Sequence, residues 1–180
     1  MNINIYETPY SARVITEDDS VIMQKTDCCF TYNDIKLEIG CDHRVLLSAI
    51  SSEVRFIALR WNGKWPSGAR FMGDVFERSY GNLRWRSLET ENLMSWYFLM
   101  SAGTHTEGYG VKVQPDAFCF WIPDNDGLTL WLDVRNGGSG VILSGRTITA
   151  AELVCDDSVD ENAFSFHAET DWEIYGSYNF

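Results

Sequence analysis

The chain has 180 residues, of which 45% are apolar and 22% charged, with a formal net charge of −12. These values exclude a disordered chain and a mini-protein dependent on disulfides, and they leave room for one domain with a sizeable core. They also argue against a nucleic-acid partner, because a field of that sign repels phosphate.

The opening MNINIYETPYSARV has neither the cationic start nor the apolar run of a secretory signal. No later stretch approaches the roughly 18 apolar residues of a membrane span, so no membrane partner is expected. Five cysteines (28, 29, 41, 119 and 155) make an odd count, and two are adjacent, a poor geometry for pairing with each other. Reduced thiols in the cytoplasm are the expectation.

Along the chain the dominant period is two. A first strand is expected over 20–25, and Ile35, Leu37 and Ile39 then alternate with Lys36 and Glu38 across 34–40. Further strands are predicted over 44–50, 53–61, 69–78, 83–88, 94–101, 109–114, 117–122, 128–134, 141–144 and 147–154. Asn62-Gly63, Pro66 to Gly68, Gly81-Asn82, Pro115-Asp116, Pro123 to Gly127, Asn136 to Gly140 and Gly145 supply the turns between them. No amphipathic helix is expected before residue 155. Many short strands at this spacing predict an all-β fold, an antiparallel β-sandwich or barrel with few or no helices.

The clearest hairpin is AFCFWIPDNDGLTLWLDV, two apolar strands around a loop rich in Pro, Asp, Asn and Gly. Phe118 and Phe120 alternate with Cys119 and Trp121, so both faces carry apolar side chains. A central position between two packed layers follows, with Trp121 and Trp131 in the core. The sandwich is expected to occupy residues 1–155. Residues 156–180 read as an acidic, aromatic-dotted tail or linker. After Arg146 there is no Lys or Arg, while Glu152, Asp156, Asp157, Asp160, Glu161, Glu169, Asp171 and Glu173 contribute −8. By contrast, Arg55, Arg60, Lys64, Arg70, Arg78, Arg84 and Arg86 outnumber Asp74 and Glu77 between residues 55 and 86. That stretch is expected to hold an acidic partner segment, the tail included.

The segment GDVFERSYGNLRW, residues 73–85, gathers Asp74, Glu77, Arg78, Tyr80 and Trp85, ingredients of a sugar site. On one strand Asp74 and Glu77 project from opposite faces. They cannot form the paired carboxylates of a glycosidase, which must converge on one bond. Each can still bind a hydroxyl or pair with Arg78, and Tyr80-Gly81-Asn82 suits a turn. Trp61, Trp65, Trp85 and Trp96 lie in or near the basic stretch, where Trp and Arg serve as interface anchors or sugar platforms as well as core.

Other motifs point elsewhere. Gly140 to Thr147 approaches a phosphate loop but places Arg146 where Lys is required, and its Val141, Ile142 and Leu143 favour a strand. Asp124-Asn125-Asp126-Gly127 lacks the closing glutamate of a calcium loop and reads as a turn. Cys28, Cys29, Cys41 and His43 do not have the spacing of zinc knuckles. His43, His105 and His167 are scattered, with no nucleophile, base and orienting acid brought together. No metal, cofactor or catalytic constellation is expected.

RFMGDVFERSYGNLRWRSLETENLMSWYFL, TEGYGVKVQPDAFCFW and DGLTLWLDVRNGGSGVILSGRTI together resemble the N-terminal β-sandwich of α-galactosidase-like glycoside hydrolases, the melibiase group related to family 36. The resemblance spans about residues 65–154. It implies a supersandwich preceding a β/α barrel in which two aspartates carry out retaining hydrolysis of α-galactosides. A barrel needs about 200 residues or more, whereas 26 follow Val154, so those aspartates have no matching positions here. The implied role is a non-catalytic domain in carbohydrate metabolism. It would dock on the barrel or a neighbouring subunit, support a homo-oligomer, or lend Asp74, Glu77, Arg78, Tyr80, Trp85, Trp65 and Trp96 to the rim of the sugar site. The alternatives are an independent carbohydrate-binding module and a sandwich for protein association.

Overall fold

The structure, a computed structural model of the chain, describes residues 3–27, 29–73, 85–88, 93–112 and 115–156. Its strands in chain order are β1 (Ser11–Ile15), β2 (Ser20–Ile22), β3 (Gln24–Thr26), β4 (Cys29–Tyr32), β5 (Ile35–Ile39), β6 (Arg44–Ser48), β7 (Glu53–Val54) and β8 (Phe56–Asn62). They continue with β9 (Arg70–Gly73), β10 (Tyr97–Ala102), β11 (His105–Val111), β12 (Phe118–Asp124), β13 (Gly127–Asp133), β14 (Val141–Ile142) and β15 (Thr147–Asp156). Among the described residues there is no helix, and so none long and apolar enough to cross a membrane.

A five-stranded sheet runs β12-β13-β8-β1-β2 and an eight-stranded sheet β3-β4-β5-β6-β15-β11-β10-β9, with β7 and β14 forming a small ribbon. All pairings are antiparallel. The two large sheets pack face to face as a sandwich, and the alternation in the sequence decides which side chains meet between them. Ala12 and Val14 of β1, Ile57, Leu59 and Trp61 of β8, and Leu128, Leu130 and Leu132 of β13 point inward from the smaller sheet. Leu37, Leu47, Phe98, Tyr109 and Ala150 meet them from the larger one.

Strands β1 and β4 fall where no strand is predicted. Their runs, SARVI and CFTY, have too few apolar positions for a period to stand out. The polar first half of β11, HTEG, likewise hides a strand predicted to begin at 109. The predicted strand over 69–78 is described only as far as Gly73, and that over 83–88 only as a bridge between Phe71 and Arg86.

One acid ties two turns together. Asn33, at φ 51°, and Asp34 form the two-residue connection between β4 and β5, and asparagine tolerates that left-handed conformation. Asp34 accepts hydrogen bonds from the backbone N–H groups of Ile50, Ser51 and Ser52 at 2.9, 2.5 and 3.1 Å, and from both serine hydroxyls. The Ser52 hydroxyl, with these further donors, holds its carboxyl well below the usual carboxylate range. A depressed folded-state value contributes stability that is fully present above the unfolded value, near 4, and is lost progressively as pH falls from there through the folded-state value. Asp34→Asn is therefore expected to cost about 1–2 kcal/mol at pH 7, discounted for partial exposure, to show a smaller deficit relative to wild type at about pH 3, and to lose it only once pH has fallen through the depressed folded-state value. Urea denaturation at the two pH values reads both effects.

Candidate functional site

Because successive side chains alternate, the five-stranded sheet presents a second set of residues on its outer face. The register lines up Phe120, Trp131, Ala58, Arg13 and Ile22 in one row across all five strands. On one side lies the row Phe118, Asp133, Phe56, Ile15 and Ser20, and on the other Ile122, Thr129, Arg60 and Ser11.

The residue types in these rows give the face its relief. Phe120 and Trp131 stand parallel, with ring centroids 6.0 Å apart and planes within 2°. Phe56 meets Trp131 edge-on at 6.2 Å and is itself capped by the Arg135 guanidinium at 4.4 Å. Beyond Trp131 the next position is Ala58, which contributes only a methyl group. Beyond Ala58 stands Arg13. Two strand spacings separate the backbones carrying Trp131 and Arg13, about 10 Å. The alanine thus opens a trough of about 310 Å³ between an aromatic wall and a cationic one, with Ile122, Thr129, Arg60, Ser11 and Ile22 completing its lining.

The trough is held by fixed polar contacts. Arg60, with 21% of its side chain exposed, donates to both Asp124 oxygens at 2.5 and 2.8 Å, to Thr129 Oγ1 at 3.1 Å and to Asn62 Oδ1 at 3.2 Å. This guanidinium holds the Asp124 carboxyl below its ordinary range, so that carboxylate stays ionised at neutral pH. Asp124 also accepts from the Asp126 N–H at 2.8 Å, which fixes the turn between β12 and β13. Arg13 differs from Arg60. Its Nη1 donates to the Ser20 carbonyl at 3.3 Å and hydroxyl at 3.2 Å, and among the described residues it pairs with no carboxylate.

Trp131 therefore corrects the sequence-based expectation. Trp121 is fully buried, as expected of a core residue, but Trp131 belongs to the outer face and is half-buried. β12 is the edge of its sheet, not a strand central between two layers. The second apolar face of the hairpin is the aromatic shelf, ending at Phe118, which is 52% exposed. The predicted five-residue loop is also shorter, since Asp124 pairs with Gly127 and only Asn125 and Asp126 turn.

Of the residues expected to carry a site, Asp74, Glu77, Arg78 and Tyr80 lie outside the described residues. Of the three tryptophans, Trp85 and Trp96 pack on one cluster and Trp65 on another part of the core. Trp65 packs edge-on against Phe71 and Tyr109 and donates Nε1–H to the Asp124 carbonyl at 2.8 Å. Trp96 packs against the main core and also, with Trp85, against Tyr97, Leu99 and Val154. Each spends much of its ring on structure. The basic stretch is also quieter than its composition implies, because Arg55 pairs with Glu17 and Glu53, Arg60 with Asp124 and Lys64 with Asp126.

The other motifs resolve locally. Gly140 to Thr147 contains β14, a turn through Ser144 and Gly145 at positive φ, and the start of β15, with no helix to bind phosphate. Cys28 lies outside the described residues, Cys29 Sγ faces Glu38 at 3.5 Å and His43 stacks on Tyr6 at 3.8 Å. Among the described residues no group of three or more His, Cys, Asp or Glu side chains is arranged to hold a metal ion. One buried polar group went unnoticed in the sequence. Glu107 accepts the Tyr109 hydroxyl at 2.5 Å and faces His105 Nε2 at 3.0 Å, while the same hydroxyl lies 3.2 Å from the Ile3 carbonyl. Burial, then the neighbouring Glu107, pushes the Tyr109 phenol far up, so it stays protonated, with its one hydrogen available to either Glu107 or the Ile3 carbonyl.

Comparison of the chain with family models, with curated proteins and with solved structures finds no match in any of the three.

Proposed function

We propose that the protein is a non-catalytic carbohydrate-binding sandwich, and that the outer trough of the five-stranded sheet receives the sugar. The observation that carries this reading is the row Phe120, Trp131, Ala58 and Arg13. A pyranose has an apolar face of C–H groups and a rim of hydroxyls. It suits a trough with an indole on one wall, hydroxyls of Ser11 and Thr129 along the side, and a guanidinium opposite. The volume is at the lower end for ligand pockets, matching one or two sugar units. Galactoside specificity, a catalytic barrel and a docking role for residues 73–85 rest on the resemblance to α-galactosidase-like enzymes alone, and this proposal does not depend on them.

A glycan array probed with the full chain tests it. Wild type is expected to retain at least one glycan class, and Trp131→Ala to weaken that binding by about tenfold or more, the loss of one stacked ring and its buried area. Because Trp131 lies outside the core, thermal unfolding of the variant should stay close to wild type. An array on which wild type retains nothing, or on which the variant binds equally well, overturns the proposal.

A further inference from the structure

Resting on that reading, we infer that the sugar is an anionic one, a saccharide carrying a carboxylate such as a uronic acid, and that Arg13 receives its charge. The trough contains two guanidinium groups with different histories. Arg60 is occupied, its fork closed on both oxygens of Asp124. Arg13 makes contacts only to the carbonyl and hydroxyl of Ser20, through a single nitrogen. Its remaining N–H donors have no protein acceptor among the described residues.

The charges on this face point the same way. Asp124 offsets Arg60 and Asp133 offsets Arg135, which it accepts at 2.8 Å. Among the described residues Arg13 is left as an uncompensated cation, on a chain whose formal charge is −12. A guanidinium presents paired N–H groups that fit the two oxygens of a carboxylate, a geometry a neutral hydroxyl cannot match. Placed across Ala58 from Trp131, it would meet a carboxylate at the edge of a ring stacked on the indole. A peptide of Asp and Glu alone would offer the charge without a ring to stack on the indole, so the aromatic wall favours the saccharide.

Calorimetry with the full chain separates these outcomes. The probes are trigalacturonate, its methyl ester of the same linkage, and a hexapeptide of Asp and Glu. The acid is expected to bind about tenfold or more tightly than the ester, the worth of one charge-assisted pair, and Arg13→Gln to weaken the acid more than the ester, so that the preference is erased. Because the acid-to-ester comparison needs no substitution, it stands even if the variant folds poorly. Equal binding of acid and ester overturns the anionic assignment but leaves the sugar platform intact. Binding of neither, or of the hexapeptide alone, overturns both.

Discussion

Replacing Trp121 with Ala is expected to lower the unfolding free energy by about 4 kcal/mol, the range for deleting a buried aromatic side chain. For a chain of this length that corresponds to a fall of about 10 °C in the unfolding midpoint. Trp121 is fully buried, with Trp61 at 6.1 Å in its own sheet and Phe98 at 6.2 Å from the opposite one. Its Nε1–H donates to the Trp96 carbonyl at 3.1 Å, and its backbone exchanges hydrogen bonds with Met94 at 2.8 and 2.9 Å. The residue therefore joins the exposed edge of the smaller sheet to the chain that leads into β10. Truncation opens a cavity and also removes one of two donors to the Trp96 carbonyl, which keeps the Val111 N–H at 2.9 Å. Trp121→Phe fills most of the space, so it should recover at least half of the loss. Scanning calorimetry of the two variants beside Trp131→Ala gives the comparison. A Trp121→Ala midpoint no lower than that of Trp131→Ala would contradict the placement of the two indoles on opposite faces.

These two tryptophans also mark how far the sequence could be read. In LTLWLDV the alternation assigns Leu128, Leu130 and Leu132 to one face and Thr129, Trp131 and Asp133 to the other, and the structure keeps that division. The local period cannot say which layer, if any, lies against the second face. An aromatic shelf at a sheet edge and a strand packed on both sides produce the same pattern. Only the register, which sets Ala58 beside Trp131 and Arg13 beside Ala58, distinguishes them. That register joins residues far apart in sequence. Arg13 carried no local signal either, since SARVI is short and its cation stands among unremarkable neighbours. The all-β class was readable because many short alternating runs and turns each voted for it. The trough was not, because it exists only where five strands line up.

The basic stretch illustrates the same limit from the side of charge. Counting residues 55–86 by sign treats Arg55, Arg60 and Lys64 as available, yet their acids arrive from Glu17, Asp124 and Asp126. A cluster in sequence is thus partly neutralised in space. A lone arginine in a strand with no acid across from it stays accessible to an anion.

The turn that holds Arg60 supplies the second large effect. Gly127 adopts φ +155°, and a Cβ built on it would lie 2.0 Å from the Trp61 carbonyl oxygen, with Arg60 Nη2 and Asn62 Cα each at 3.0 Å. The nearest clash is with backbone in the neighbouring strand, so relief requires β8 and β13 to separate. Gly127→Ala is expected to cost about 3 kcal/mol, combining a strained φ with that displacement. Gly68→Ala is the matched control. Its φ is +75° but nothing lies within 4 Å of the added carbon, so conformational strain alone should cost about 1 kcal/mol. Urea denaturation of both variants resolves the difference, and equal losses would show that close approach at Gly127 is not limiting. The same methyl group would press on the Arg60 fork and loosen its hold on Asp124. Saccharide affinity should then fall in Gly127→Ala and not in Gly68→Ala, because only the former strand junction shapes the trough.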